Sequence, residues 1–134
     1  MQQDRKIWDE ITRNNKIIWK KNCPFCKLED NEKELLIFET NFWQIRYNKF
    51  PYWNEKKHIL VFTKRHIELS KDLNDNELLD LKNIHKFLYE FYEWKKYFSF
   101  LRETFEWRSI KHLHYHYLPG NIYSNDFDRI LNKK

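Results

Sequence analysis

The chain carries three histidines that alternate with large apolar residues in the stretch HLHYHYLP, residues 112–119. Because successive side chains of a β-strand point to opposite faces, this pattern predicts a strand with His112, His114 and His116 on one face. A row of imidazoles is costly to bury without partners, and imidazole near neutral pH can act as a nucleophile, a proton carrier or a metal ligand. The stretch therefore favours a strand that binds phosphate or metal. The alternative is three half-exposed histidines on a strand edge.

The composition fits one domain with an anionic partner. A chain of 134 residues is long enough for a real core, and its aromatic content of 19% supplies large side chains for burial. The net charge of +5 favours nucleotides, nucleic acid or an acidic surface as partners. The N-terminus is charged and no apolar run approaches the length of a membrane helix. We therefore expect no signal peptide, no membrane partner and a cytoplasmic location.

Apolar patterning in the rest of the chain predicts an α+β fold with an antiparallel sheet. Strands are expected at residues 35–38, 42–47, 58–63 and 98–105, in addition to the histidine strand. The longest helix is expected over residues 74–97, where Asn74 and Glu77 form a capping pair. Its buried stripe is expected to comprise Leu78, Leu81, Ile84, Leu88 and Phe91. A further helix over residues 4–20 would be an addition to this domain.

Five features of the chain, in the same order and with similar spacing, resemble the histidine-triad family of nucleotide hydrolases and transferases. These features are CPFC (residues 23–26), NKFPY (48–52), HILVFTKRH (58–66), Ser109 and HLHYHYLP (112–119). The resemblance covers residues 22–120 and implies a five-stranded antiparallel sheet crossed by one long helix. Residues 1–21 would then be an N-terminal helical extension and residues 121–134 a C-terminal tail.

The resemblance implies an enzyme that acts at the α-phosphate of a nucleotide through a nucleotidyl-histidine intermediate. The expected reaction is hydrolysis of a purine nucleoside phosphoramidate or a dinucleoside polyphosphate. By position, His114 would be the nucleophile and His116 would assist the leaving group. Since the attacking nitrogen of His114 must be unprotonated, we expect its other ring nitrogen to donate to a backbone carbonyl.

Substrate contacts are implied for Asn48, His58 and Ser109, which match family positions. Asn48 would contact the ribose hydroxyls, or it is a plain turn residue before the following proline. The family commonly has a glycine-rich turn before the serine, but this chain has FEWR at residues 105–108. We therefore hypothesise that Arg108 supplies phosphate contacts with its guanidinium.

The resemblance to the zinc-carrying members implies a structural Zn²⁺ bound by four residues: Cys23, Cys26, His66 and His112. A redox role for the two cysteines is not expected because no βαβ pattern surrounds them. Family members are usually homodimers, and we expect a homodimer here.

Two other classes of function stay open. The missing glycines favour a nucleotide-binding module with little turnover. The positive charge favours a nucleic-acid end-processing or binding protein, although nucleic acid is the less favoured partner.

Overall fold

The structure is a computed structural model that describes residues 23–103, 110–121 and 125. The predicted helix over residues 4–20, most of the predicted tail, and Arg108 and Ser109 lie outside the described residues. The strands are β1 (Leu36–Glu39), β2 (Trp43–Tyr47), β3 (Ile59–Thr63), β4 (Tyr97–Phe100) and β5 (His114–Pro119), and the long helix is α1 (Asp75–Phe91). Three 3-10 helices cover Asp30–Leu35, Tyr52–Asn54 and Ser70–Asp72.

The strands form a five-stranded antiparallel sheet in the order β1-β2-β3-β5-β4, which confirms the predicted α+β architecture. Alternation along the strands divides the sheet into two different faces. One face packs its apolar side chains, such as Ile45, Val61 and Tyr117, against Ile84 and Leu88 of α1. None of the described helices is long and apolar enough to cross a membrane.

The opposite face of the sheet carries the histidines. His114 and His116 alternate in β5 with Tyr115 and Tyr117, which point to the helix side. All three histidines of the triad stretch are buried, so the alternative of half-exposed edge residues is wrong. The predicted strand itself begins two residues late, at His114.

His112 lies before the start of β5 because the chain leaves the β3–β5 hydrogen-bond ladder at Leu113. The pairing between β3 and β5 ends with Phe62 opposite His114. The next amide in the N-terminal direction, that of Leu113, donates to the carbonyl oxygen of Ile67 at 2.8 Å, in the loop beyond β3. His112 is thus placed over the end of β3.

The helix α1 starts as predicted and ends earlier than predicted. Asn74 and Glu77 form the expected capping box. The helix stops at Phe91 because Glu93 and Trp94 adopt left-handed backbone conformations, with φ of 56° and 63°. The residues beyond this turn enter β4, so the helix predicted to reach residue 97 was too long.

Two further sequence predictions were wrong in detail. The strand predicted over residues 98–105 is limited to Tyr97–Phe100, and residues 101–103 leave the sheet. In the predicted helix stripe, Leu78 is 51% exposed, whereas the neighbouring Glu77 is buried.

Glu77 is a buried carboxylate with three hydrogen-bond donors. Arg65 donates from Nη2 to Oε1 at 2.7 Å and from Nε to Oε2 at 3.2 Å, and the amide of Asn74 donates to Oε1 at 2.9 Å. Burial raises the pKa of Glu77, but the hydrogen bonds from Arg65 and Asn74 and the charge of Arg65 outweigh it, so the pKa lies below its ordinary value.

We predict that Glu77→Gln lowers the free energy of unfolding by on the order of 2 kcal/mol at pH 7, because Arg65 loses its charged partner. A lowered folded-state pKa stabilises the protein above the unfolded-state value, and this contribution is lost as the pH falls through the folded value. The difference in free energy of unfolding between wild type and Glu77→Gln should therefore decrease below pH 4.5, the ordinary pKa of a glutamate. Urea unfolding across pH 3–7 measures it, with the exposed Glu34→Gln as control; a gap independent of pH would contradict the assignment.

Candidate active site and metal centre

Two cysteines and two histidines meet at one end of the sheet. Cys23, Cys26, His66 and His112 each offer one ligand atom, and these four atoms all lie within 4.8 Å of one another. The resemblance predicted this grouping from three separate segments of the chain. The residues could hold a metal ion between them.

The distances within this Cys/His cluster fit tetrahedral coordination. His112 Nδ1 lies 3.3 Å from Cys23 Sγ and 3.2 Å from His66 Nδ1, and Cys26 Sγ lies 3.1 Å from His66 Nδ1. Ligands about 2.0–2.3 Å from a tetrahedral metal ion are roughly 3.3–3.8 Å from one another, so little movement would be needed. Desolvation and the nearby Cys23 raise the pKa of Cys26 to about 12, so metal binding must displace a proton there.

The orientation of His112 is set by a backbone carbonyl. Its Nε2 lies 2.7 Å from the carbonyl oxygen of Thr63 and donates to it. The other nitrogen, Nδ1, then carries a lone pair directed at the cysteines. A histidine that ligates a metal ordinarily has this kind of second hydrogen bond, which fixes its tautomer.

His114 is held in the same way by the next carbonyl along the chain. Its Nδ1 lies 2.7 Å from the carbonyl oxygen of His112 and donates to it, as predicted. The lone pair is therefore on Nε2, which is the form of imidazole that can attack phosphorus. One residue, His112, thus belongs to the Cys/His cluster through its side chain and orients His114 through its backbone.

The tautomer of His116 follows from a chain of hydrogen bonds that starts at a peptide group. The amide of Tyr52 can only donate, and it lies 3.0 Å from His58 Nδ1. His58 must therefore carry its hydrogen on Nε2, which lies 2.9 Å from His116 Nδ1. His116 in turn carries its hydrogen on Nε2, so that nitrogen is a proton donor.

Aromatic packing holds the ring of His116 in place. Phe100 of β4 stacks on it with ring centroids 4.6 Å apart and an angle of 5°. Tyr52 lies almost parallel to it at 5.6 Å. Since the rings of His114 and His116 are only 5.1 Å apart, one small ligand group can contact both.

A cavity of about 190 Å³ opens in front of these two histidines. Its walls combine apolar side chains, including Phe25, Leu28 and Phe50, with polar and charged groups. A site with a mostly apolar lining and a few convergent polar groups is typical of small-molecule binding. The charged and amide groups of the wall are Glu32, Arg46, Asn48, Lys49 and Arg102.

Of the other predicted substrate residues, the structure describes Asn48 and His58 but not Arg108 and Ser109. Asn48 lies in the cavity wall, with its amide nitrogen 3.3 Å from both ring nitrogens of His58. Its side-chain oxygen accepts from the amide of Phe50 at 2.9 Å, so it also forms a local turn. Arg108 and Ser109 lie outside the described residues.

Sequence analysis missed two arginines in the cavity wall. Arg46 is 6% exposed and Arg102 is 8% exposed, and the Arg102 guanidinium lies 5.2 Å from the ring centroid of Phe100. Arginine is usually exposed, and neither position belongs to a recognisable motif. The only available signal was the period of two along β2, which puts Arg46 on the same face as Gln44 and not on the helix side.

The fold and this pair of sites define a histidine-triad-type protein. Residues 22–129 match the family model for the scavenger mRNA decapping enzyme C-terminal binding domain, and the chain belongs to this family. No curated protein matches the chain in sequence.

Solved structures of histidine-triad family hydrolases are also similar to this chain. The chain is similar to a HIT family hydrolase from Clostridium thermocellum, with 27% identity, a TM-score of 0.58, and coverage of 75% of this chain and 92% of that one. It is also similar to a HIT family hydrolase from Legionella pneumophila, with 26% identity, a TM-score of 0.58, and coverage of 75% and 95%.

A third similar structure is the Plasmodium falciparum diadenosine triphosphate hydrolase in complex with Cyclomarin A. The identity is 20% and the TM-score is 0.58, which shows a shared fold; the match covers 67% of this chain and only 63% of that enzyme. Together with the family match, the Clostridium and Legionella structures make the chain a histidine-triad enzyme of the nucleotide hydrolase or transferase class.

We predict that the purified protein contains one equivalent of metal ion, because the cluster offers four convergent ligands. Cys23→Ala should abolish metal binding, whereas His114→Ala should keep it. Chelation should lower the Tm by on the order of 10 °C, since it removes a ligand that binds only the folded state. Elemental analysis and a thermal melt measure both effects. Equal metal content in wild type and Cys23→Ala would show that this cluster is not a metal site.

Proposed function

We propose that the protein hydrolyses a purine nucleotide conjugate at its α-phosphorus, through a covalent nucleotidyl intermediate on His114. The observation that carries this proposal is the 2.7 Å hydrogen bond that commits Nδ1 of His114 to a carbonyl and leaves the lone pair on Nε2. His114 also lines the cavity beside His116, whose Nε2 is a proton donor. The proposed nucleophile and the proposed hydrogen-bond donor to the leaving group are thus neighbours in this arrangement.

In the first step, Nε2 of His114 attacks the α-phosphorus and the bond from phosphorus to the leaving oxygen or nitrogen breaks. His116 donates a hydrogen bond from its Nε2 to that leaving atom, which stabilises the negative charge that develops there. His58 keeps the donor tautomer of His116 because its own Nδ1 accepts from the amide of Tyr52. Cationic groups in the cavity wall stabilise the negative charge that spreads over the phosphoryl oxygens.

In the second step, water attacks the same phosphorus and the bond from phosphorus to His114 breaks. The proton of this water is released with the products, and Nε2 of His116 keeps its hydrogen throughout. The products are a nucleoside monophosphate and the second half of the conjugate. Both histidines end in their starting states, so the cycle is balanced without another reactant.

We favour dinucleoside polyphosphates over nucleoside phosphoramidates as substrates. The family is named for mRNA decapping, and the Plasmodium structure is named a diadenosine triphosphate hydrolase. A capped mRNA end and diadenosine triphosphate share two nucleosides joined by a polyphosphate. Two cationic side chains in the cavity wall, Lys49 and Arg102, support a ligand of high negative charge.

The remaining site residues receive substrate-binding roles. Asn48, in the cavity wall, contacts the ribose. His58 is assigned to the phosphate on the basis of the resemblance, and in the structure it is buried and contacts His116. Ser109 and Arg108 are proposed phosphate contacts on the basis of the resemblance alone. Arg102, buried in the wall beside Phe100, is a further phosphate contact, because a guanidinium presents several donors to an anion.

For the Cys/His cluster we propose a structural Zn²⁺ held by Cys23, Cys26, His66 and His112. Two thiolates and two imidazoles are a donor set that structural zinc sites use, and such a closed site pins the N-terminal segment to the sheet. It supplies no catalytic step.

Three further points stay predictions. They are the homodimer, the cytoplasmic location, and the division into an extension (1–21), a catalytic domain (22–120) and a tail (121–134).

We predict that mixing the protein with diadenosine triphosphate and quenching with base gives a mass increase of one adenylyl group, located on His114. His114→Ala should show neither adduct nor turnover, and His116→Ala should lower kcat by about 10²–10³-fold because it removes the hydrogen-bond donor to the leaving group. The exposed His85→Ala is the matched control. Tight nucleotide binding without adduct or turnover would indicate a binding module, and tighter binding of oligonucleotides than of dinucleotides would indicate a nucleic-acid partner.

We predict that Arg102→Gln raises the KM for diadenosine triphosphate by about 10- to 100-fold, because one hydrogen bond to a charged group is lost. The inhibition constant of AMP should rise with it, whereas that of uncharged adenosine should not change. The exposed Lys95→Gln controls for the loss of one positive charge. If adenosine and AMP lose affinity equally, Arg102 shapes the cavity and does not contact phosphate.

A further inference from the structure

Arg46 of β2 is fastened to the turn that carries the two cysteines. We call this turn, residues 23–26, the knuckle. Arg46 Nη1 donates to the carbonyl oxygen of Pro24 at 3.0 Å, and Nη2 donates to that of Phe25 at 3.2 Å. Nη2 and Nε also donate to the side-chain oxygen of Gln44, at 2.8 and 3.2 Å. These carbonyls lie 21 and 22 residues earlier in the chain, so Arg46 ties the knuckle to the sheet.

Phe25, in the middle of the knuckle, packs directly on His114. Its ring centroid is 5.0 Å from that of His114, and the planes meet at 72°, so one ring presents its edge to the other. Phe25 also stacks on Phe62 at 4.4 Å and 17°. The guanidinium of Arg46 lies 4.7 Å from the ring centroid of Phe62, which places it on the neighbouring ring of this stack.

The hydrogen bond to His112 fixes only part of the orientation of His114. It holds Nδ1, but the ring can still tilt about the line from Nδ1 to the carbonyl oxygen. An aromatic ring packed against the imidazole restricts that tilt. Near attack, a misplacement of about 1 Å costs on the order of 10²-fold in rate, so this restriction matters for a nucleophile.

From these contacts we propose that Arg46 is a positioning residue, which holds the knuckle so that Phe25 fixes the imidazole of His114. The inference rests on the proposed role of His114 as nucleophile. Cys23 and Cys26 anchor the two ends of the knuckle to the Cys/His cluster, and Arg46 anchors its middle. The knuckle thereby links the Cys/His cluster to the reacting nitrogen.

A direct contact between Arg46 and substrate is the competing explanation, since Arg46 also lines the cavity. A guanidinium has five N–H groups, and the four hydrogen bonds to Pro24, Phe25 and Gln44 occupy four of them. At 6% exposure, Arg46 also offers little surface to a ligand. Its donors are thus directed at the protein, which favours positioning.

The test compares Arg46→Gln and Arg46→Lys with wild type and with Lys64→Gln, which removes a cation just beyond the end of β3. Proton NMR of the ligand-free protein measures the nuclear Overhauser contact between the rings of Phe25 and His114. We expect both Arg46 variants to lose this contact, and their kcat for diadenosine triphosphate to fall about 10- to 100-fold with little change in KM. Arg46→Lys keeps the charge but cannot reproduce the fork of hydrogen bonds. Lys64→Gln should match wild type in both measurements.

Phe25→Leu keeps the test decisive if the Arg46 variants do not fold. It leaves both knuckle carbonyls available to Arg46 and removes the aromatic ring that packs on His114 and on Phe62. We expect unchanged metal content, measured by elemental analysis, and a lower kcat.

Two results would overturn the inference. One is an Arg46→Gln protein that keeps the ring contact and kcat while its KM rises, which would assign Arg46 to the substrate. The other is Phe25→Leu with wild-type kcat. Failure of the proposed function is distinguishable, because it shows as turnover by His114→Ala, whereas the ring contact is read without any substrate.

Discussion

The hydrogen bond from His114 Nδ1 to the carbonyl oxygen of His112 is the constraint on which the site depends. At 2.7 Å it selects the tautomer whose Nε2 carries the lone pair. The side chain of the same His112 points to the cysteines and is itself held by Thr63. A single residue at the entrance to β5 therefore joins the Cys/His cluster to the nucleophile, and its position beyond the last pair of the β3–β5 ladder makes both contacts possible.

Much of the fold was predictable because the signals are local. Alternation along β5 separated His114 and His116 from Tyr115 and Tyr117, and the structure puts these pairs on opposite faces of the sheet. The capping box at the start of α1 requires only two residues three positions apart. The Cys/His cluster was predictable only through the resemblance, since its members come from distant segments.

What the sequence did not reveal depends on non-local contacts or on unusual backbone. The end of α1 was missed because Glu93 and Trp94, neither of them glycine, adopt left-handed conformations that propensity disfavours. Arg46 looked like an ordinary polar residue of a half-exposed strand, and only the fold brings it to carbonyls of the knuckle. Arg102 was expected within a strand, but the strand ends at Phe100 and leaves this arginine beside the cavity.

The strand order places His114 and His116 on an interior strand of the sheet. β5 lies between β3 and β4, so both of its backbone edges are paired, whereas β1 and β4 are the borders of the sheet that the described residues form. Local fluctuations that fray a protein begin at such borders and at loop ends. The imidazoles of His114 and His116 thus lie on a strand that is hydrogen-bonded to a neighbouring strand on each side. The border strands can fluctuate while these two imidazoles stay aligned.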